Sequence, residues 1–399
     1  MRKIVVMEPH EWLEAAEATR NFAVARPHLE QEAPAGVAYV DEPPIRLEDA
    51  YVLSADVDEG ADDGLLQEAD VRGVYADPTI GVFPAVCPDA AVGAIDDVQK
   101  RLNLSALETA GHRGKGVRIA IVDTGIDGTQ VNVVGGWSPW PGHAPGSAGP
   151  GHGTMCAVDA MIAAPDAQIR DYPLLRSVGG TWVAFLSDAI RFFAEIMTFL
   201  LQNPGPLVVS NSWGLFDRST DAPNGHPQNY SANPAHPFNT ITTALVASGA
   251  DVLFAAGNCG STCPDSRCGL SDRGPGNSIH GANSHPDVIT VGAVTIDDDL
   301  LGYSSQGPGG LDREKPDLCG YSHFLAAKVN PPLHAGTSAA CPVVAGVVAA
   351  LRSKPSARTL APVDVKAALV ASTVSVHGSG WDDGFGNGIV DAGAAWNQV

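Results

Sequence analysis

The chain has no run approaching the ~18 consecutive apolar residues that a membrane span requires. After Met1-Arg2-Lys3 only Ile4 to Met7 are apolar before Glu8 intervenes, so no transmembrane helix and no secretory h-region is expected at the start. Basic clusters are equally scarce: 24 Lys and Arg stand against 45 Asp and Glu, a net charge of −21. Such a chain is repelled by phosphate backbones and anionic headgroups, which excludes nucleic acid and membrane surfaces as expected partners. No CxxC pair and no Cys/His spacing of zinc type occurs, so no structural metal site is expected. There is no internal repeat at a fixed period.

The seven cysteines leave at least one unpaired within a single chain. Cys259, Cys263 and Cys268 cluster closely enough to hold one disulfide, while Cys87, Cys156, Cys319 and Cys341 are scattered. Gly and Pro number 44 and 30, above average usage but below the level of low-complexity disorder, so a folded chain with many turns is expected. The charge is uneven, residues 1–115 carrying −12 and residues 116–399 the remaining −9.

The length suits one large core with an accessory segment. Residues 1–44 read as an extension of unknown role, helix-prone over Glu11 to Ala25 and irregular around Pro34, Pro43 and Pro44. Residues 45–86 alternate strand-like, acidic helical and strand-like stretches, which suggests a small α+β domain. Residues 87–115 read as a linker ending in the Gly-rich run Gly111-His112-Arg113-Gly114-Lys115-Gly116. From 116 to 399, apolar runs at 117–122, 206–210, 251–256 and 288–294 alternate with helix-like segments near 154–164, 181–201, 239–248, 339–352 and 363–372. That alternation predicts an α/β domain with a mostly parallel central sheet and helices on both faces.

Three local patterns carry chemistry. The strand Val117 to Val122 ends in Asp123-Thr124-Gly125, placing a carboxylate at the carboxyl edge of a buried strand, where open α/β sheets put their sites. His152 lies in Gly151-His152-Gly153-Thr154 at a helix start, and Ser338 in Gly336-Thr337-Ser338-Ala339 before a helix of small residues. Each alone has a plain structural explanation: a turn cap, a solvated imidazole, an N-cap.

Together, in the order Asp, His, Ser, they resemble the subtilisin-like serine protease family, whose motifs they match nearly word for word. Val208 to Gly214 is similar to the family's substrate-pairing strand, and Ala255-Ala256-Gly257-Asn258 to its oxyanion segment. The resemblance continues through Lys315-Pro316-Asp317 to Phe385-Gly386-Asn387-Gly388 and covers about residues 110–399. It implies a serine endopeptidase in which Ser338 forms an acyl-enzyme, His152 is general base and acid, Asp123 orients it and Asn258 lines the oxyanion hole. Ser212, Trp213, Gly214, Ala256 and Gly257 are implied to bind a polypeptide substrate.

The resemblance implies further expectations. Residues 45–86 occupy the position of the family's propeptide, an intramolecular inhibitory segment whose tail would lie near Phe83-Pro84-Ala85-Val86. No cofactor is expected. The loop that holds calcium in many members has no room between Met155 and Ala167, and calcium elsewhere is left open. Cys156 falls where some relatives keep a free Cys beneath the histidine, its plain alternative being a small core residue. Asp217 and Asp221, just beyond Ser212-Trp213-Gly214, suggest a preference for Lys or Arg at P2 or P4, against the plain reading of a solvated acidic loop with Arg218 as partner. Without a signal peptide a cytoplasmic location is expected, although most members are secreted. Two alternatives stay open: a catalytically silent peptide-binding scaffold, and a small-molecule esterase or amidase on the same triad.

Overall fold

The computed structural model describes residues 1–82, 87, 90–376, 378 and 380–399. The expected inhibitory tail at Phe83 to Val86 therefore lies outside the described residues.

The N-terminal part runs β1 (Arg2–Met7), α1 (Glu11–Thr19), α2 (Arg26–Glu32), β2 (Val37–Tyr39), β3 (Ile45–Leu47), β4 (Ala50–Val57), α3 (Asp62–Leu65), β5 (Val71–Ala76) and β6 (Thr79–Val82). Five of the strands form an antiparallel sheet in the order β2-β4-β1-β5, with β3 also paired to β4. Val5, Met7, Leu53, Ala55 and Val74 face one side and pack beneath Leu13, Ala16, Phe22 and Leu29 of the helical stretch. This corrects the boundary expected at residue 44. Arg2 to Met7 is an inner strand bonded on both edges, so residues 1–44 and the strands that follow share one sheet and one core.

Next come α4 (Ile95–Arg101) and α5 (Ser105–Thr109), which correct the linker reading of 87–115. Val98, Leu102, Leu104 and Leu107 are buried in the core of the large domain, and Ala392 donates its N–H to Leu102 O at 3.0 Å.

The large domain contains β7 (Arg118–Asp123), β8 (Val133–Gly136), α6 (His152–Ala160), β9 (Gln168–Pro173), β10 (Arg176–Val178), β11 (Thr181–Phe185), α7 (Leu186–Gln202), β12 (Leu207–Asn211), β13 (Trp213–Gly214), α8 (Pro237–Ala247), β14 (Ala250–Ala255), β15 (Ile289–Val294), β16 (Leu318–Tyr321), β17 (Phe324–Leu325), β18 (Leu333–His334), α9 (Thr337–Arg352), α10 (Pro362–Ala371) and α11 (Ala392–Trp396). Seven of these strands form one sheet in the order β16-β15-β14-β12-β7-β9-β8, every pair parallel. The expected α/β architecture is present.

Alternation along β7 sorts the two faces. Ile119 and Ile121 pack with α6 and α9, while Ala120 and Val122 pack with Phe192, Phe193 and Phe238 of α7 and α8. Helix α9 is buried throughout, which explains its composition of Ala, Val and Gly. At Gly346 a Cβ would stand 2.2 Å from Ala160 O, so only glycine lets α9 lie directly against α6. No helix among the described residues is long and apolar enough to cross a membrane.

The order of strands reverses at β7, whose neighbours are β12 on one edge and β9 on the other. Such a switch point opens a crevice at the carboxyl ends of the strands. Asp123 ends β7 there.

Candidate active site

Asp123 Oδ1 accepts hydrogen bonds from Thr124 N and from His152 Nδ1, both at 2.7 Å. Asp123 is 1% exposed and the His152 side chain 15%. His152 begins α6, and the first turn of that helix lies close to the loop after β7: a Cβ at Gly153 would stand 2.4 Å from Gly125 O. The glycine after the histidine is therefore a requirement of approach. With Nδ1 bound to the carboxylate, Nε2 is buried and has no hydrogen-bond partner among the described residues.

Ser338 is the second residue of α9, which Gly336 enters at φ 83°. Its Oγ donates to Ser212 O at 3.3 Å, and Ser212 Oγ returns a bond to Ser338 O at 3.1 Å. Cys156, one turn along α6 from His152, sits where these groups converge. Its Sγ is 3.6 Å from Asp123 Oδ2, 3.8 Å from His152 Nδ1 and 3.4 Å from Ser338 O. Burial, and then the Asp123 charge, push this thiol well above its ordinary pKa, so it stays protonated and acts as a weak donor. Asp123, His152 and Cys156 bring ligand atoms within 4.8 Å of one another. A protonated thiol and an imidazole nitrogen already bonded to the carboxylate make that trio a poor metal site.

Behind this group a second buried pair ties the two helices' supports together. His334 Nδ1 on β18 and Asp159 Oδ1 on α6 are 2.5 Å apart and both side chains are fully buried. Burial works against the imidazolium, but Asp159 outweighs it and raises the His334 pKa. Neither residue announces itself in the sequence.

Asn258 follows β14. Its Oδ1 accepts from Thr337 N at 3.0 Å and Thr337 Oγ1 at 2.9 Å, which fixes the amide plane immediately before Ser338. Ala256 and Gly257 brace this segment, their N–H groups bound to Val291 O at 2.8 Å and Thr337 Oγ1 at 3.1 Å. Cys259 and Cys268 are joined by a disulfide with an S–S distance of 1.99 Å, as the cysteine cluster suggests; the other disulfide, Cys87 to Cys263, spans 176 positions.

The expected substrate strand is occupied. β6 pairs antiparallel with β13 on one side, Val82 opposite Trp213 and Gly81 opposite Gly214. On its other side it pairs antiparallel with β11, Gly81 opposite Val183 and Ile80 opposite Ala184. Trp213 contributes backbone only. Its ring is buried under the sheet and donates from Nε1 to Val122 O at 3.0 Å. β11 itself corrects the helix expected over 181–201, whose first five residues are strand.

The acidic pair expected to select basic substrates is otherwise engaged. Asp221 accepts from Tyr230 N and Ser231 N, each at 2.8 Å, and from Ser231 Oγ at 2.6 Å, stapling a loop. Asp217 caps the turn at 218–220 through Ser219 N at 2.8 Å.

Residues 114–388 match the Peptidase_S8 family, described as the subtilase family. Subtilisin E of Bacillus subtilis is 26% identical over 307 residues, 74% of this chain and 69% of that protein. The membrane-bound transcription factor site-1 protease of Rattus norvegicus is 27% identical over 307 residues, 70% of this chain but only 25% of that protein. The chain thus spans a quarter of the site-1 protease's length. Among solved structures, fervidolysin from Fervidobacterium pennivorans, a keratinolytic enzyme related to subtilisin, superposes with a TM-score of 0.67 at 18% identity. The match covers all of this chain and 61% of that one.

Proposed function

From the chain's membership of the subtilase family, we propose that it is a serine endopeptidase acting by acyl transfer. In this reading His152 Nε2 takes the proton from Ser338 Oγ as that oxygen attacks the peptide carbonyl, then returns it to the leaving amine. Asp123 holds the imidazole with its proton on Nδ1 and stabilises the imidazolium. Asn258 Nδ2 and the Ser338 N–H carry the oxyanion. One observation favours a peptide over a small ester: an extended segment, β6, is hydrogen-bonded between β11 and β13 beside Ser338. Hydrolysis of peptides of increasing length tests this. kcat/KM rising as residues are added toward the β6 side is the expected result, and a rate independent of length would point to an esterase.

Asn258→Ala is expected to lower kcat by about 10²–10³ with KM little changed, because the oxyanion exists only near the transition state. Steady-state kinetics on a tetrapeptide amide provide the check, and a change confined to KM would remove Asn258 from this role.

The N-terminal domain fits an intramolecular inhibitor. β6 fills the groove, and β5 delivers Asp77 to the start of α7, where its carboxylate accepts from Ser187 N at 2.9 Å and Ser187 Oγ at 2.7 Å. Burial pushes Asp77 up to about 7, with Arg2 opposing and Asp188 adding to the rise. Docking therefore takes up a proton. Its benefit is full below the ordinary carboxylate range and is lost as pH rises through about 7. His236, whose Nε2 meets Ala76 O at 2.8 Å and which burial lowers to about 4, works in the opposite sense below its ordinary value. In Asp77→Asn that contribution is unchanged, so the ratio of the variant's fluorophosphonate labelling rate to that of the unmodified chain isolates Asp77. The ratio is expected to be below one at pH 5, where docking of the unmodified chain must take up a proton, and to fall further by pH 8, where it must bury a charge. A ratio flat with pH would contradict the docking role.

The two disulfides favour an oxidising compartment over the cytoplasmic location expected from the sequence.

A further inference from the structure

Arg267 is held in the groove by three separate contacts. Its guanidinium lies over the Phe216 ring, 3.8 Å from the centroid. The Asp265 carboxylate receives Nε and Nη2, each at 3.1 Å. The loop that carries it is closed by the Cys259–Cys268 disulfide and hung from the oxyanion segment through Asp265 N, which donates to Asn258 O at 2.8 Å. From this mount Nη2 donates to Val82 O at 2.6 Å. The remaining nitrogen, Nη1, has no acceptor among the described residues; a Cβ built at Gly81 would lie 3.2 Å from it and 3.1 Å from Trp182 O, so a side chain at this position is admitted only if both give by a few tenths of an ångström.

The register says which substrate positions these are. Ser212 lies against Ser338 through the two reciprocal bonds, so the substrate residue opposite Ser212 presents its carbonyl to the nucleophile and is P1. A substrate replacing β6 in the same pairing then places P2 where Val82 is and P3 where Gly81 is.

We propose that Arg267 is a specificity-determining residue, gripping the P2 carbonyl through Nη2 and selecting an acidic P3 side chain through Nη1. A P3 carboxylate within reach of the vacant guanidinium edge makes a charge-assisted hydrogen bond, and a P3 lysine meets a like charge at the same place. Asp265 does not bond Nη1: its carboxylate accepts from Nε, from Nη2 and from the Arg267 backbone N–H. Gly81 in β6 leaves that edge unused, so a P3 side chain gains a contact that the chain's own strand does not make. This preference is opposite in sign to the one that Asp217 and Asp221 suggest in the sequence.

The proposal rests on the protease reading, and the test separates the two. Peptides identical except for Glu, Gln or Lys at P3 are assayed with the full chain, active sites being titrated by a fluorophosphonate probe. Glu is expected to exceed Lys in kcat/KM by about tenfold, the scale of one partly exposed charge pair gained and one like-charge contact avoided. Arg267→Ala is expected to bring the ratio to about one and to lower kcat/KM for the Gln peptide as well, through loss of the P2 contact. Arg267→Lys keeps the charge without the fork, so part of the Glu preference should persist while the Gln peptide loses as much as with Ala. A Glu-to-Lys ratio unchanged by Arg267→Ala, or near one in the unmodified chain, overturns the proposal alone. Labelling at Ser338 without hydrolysis of any peptide overturns the protease reading and this proposal with it.

Discussion

Ser338→Ala is expected to reduce kcat for peptide hydrolysis by about 10⁶, the scale on which a subtilisin loses activity with its nucleophile. The variant removes one oxygen from a buried helix start, where it bonds Ser212 O at the long distance of 3.3 Å. The Gly336 turn, the Thr337 contacts to Asn258 and the α6–α9 packing are all made by other atoms. Stability should therefore change by less than about 1 kcal/mol. A protein that unfolds normally in denaturant yet hydrolyses nothing is the expected combination. Peptide hydrolysis surviving in Ser338→Ala at more than a thousandth of the original rate would place the nucleophile elsewhere.

Asp123→Asn is expected to cost about 10⁴ in kcat, with KM little affected. Thr124 N and His152 Nδ1 both meet the same oxygen, Oδ1, so an amide that turns its NH2 toward the imidazole gives up the bond from Thr124 N. Toward His152 the group that meets Nδ1 is now free to be an N–H donor, which requires Nδ1 to accept and moves the ring proton to Nε2. That nitrogen then cannot take the proton from Ser338. The measurement is kcat at pH 7–8 for the variant against the unmodified chain. A loss smaller than tenfold would mean that the 2.7 Å contact between Asp123 and His152 does not set the tautomer.

The groups that meet at the candidate site were legible because each sits in a short stretch whose local structure is locally dictated. An apolar strand must end where Asp123-Thr124-Gly125 begins, and glycines mark the starts of α6 and α9. What the sequence hides is set by contacts far along the chain. Thr181 to Phe185 continues the apolar pattern of α7 and reads as its first turn, but hydrogen bonding to β6 and β10 makes it a strand. Arg2 to Met7 is too short to declare itself as anything except by pairing with residues 51–56 and 71–76. Val98, Leu102 and Leu107 look like part of a linker until the large domain buries them. Asp221 looks solvent-facing until residues 229–231 return their N–H and hydroxyl groups to it. Arg267 carries no motif at all. Only the return of the disulfide-closed loop to the groove brings it to Val82.

The central claim is that Ser338 is a nucleophile activated by His152 in a peptide groove that the chain's own N-terminal strand fills. Fluorophosphonate labelling of the full chain, with the adduct located by peptide mass spectrometry, tests it most directly. A single adduct on the peptide containing Ser338, absent in His152→Ala and faster when Gly81→Val crowds β6 against Trp182 O, is the predicted result. An adduct on another residue, or none in the unmodified chain and in Gly81→Val alike, would contradict it.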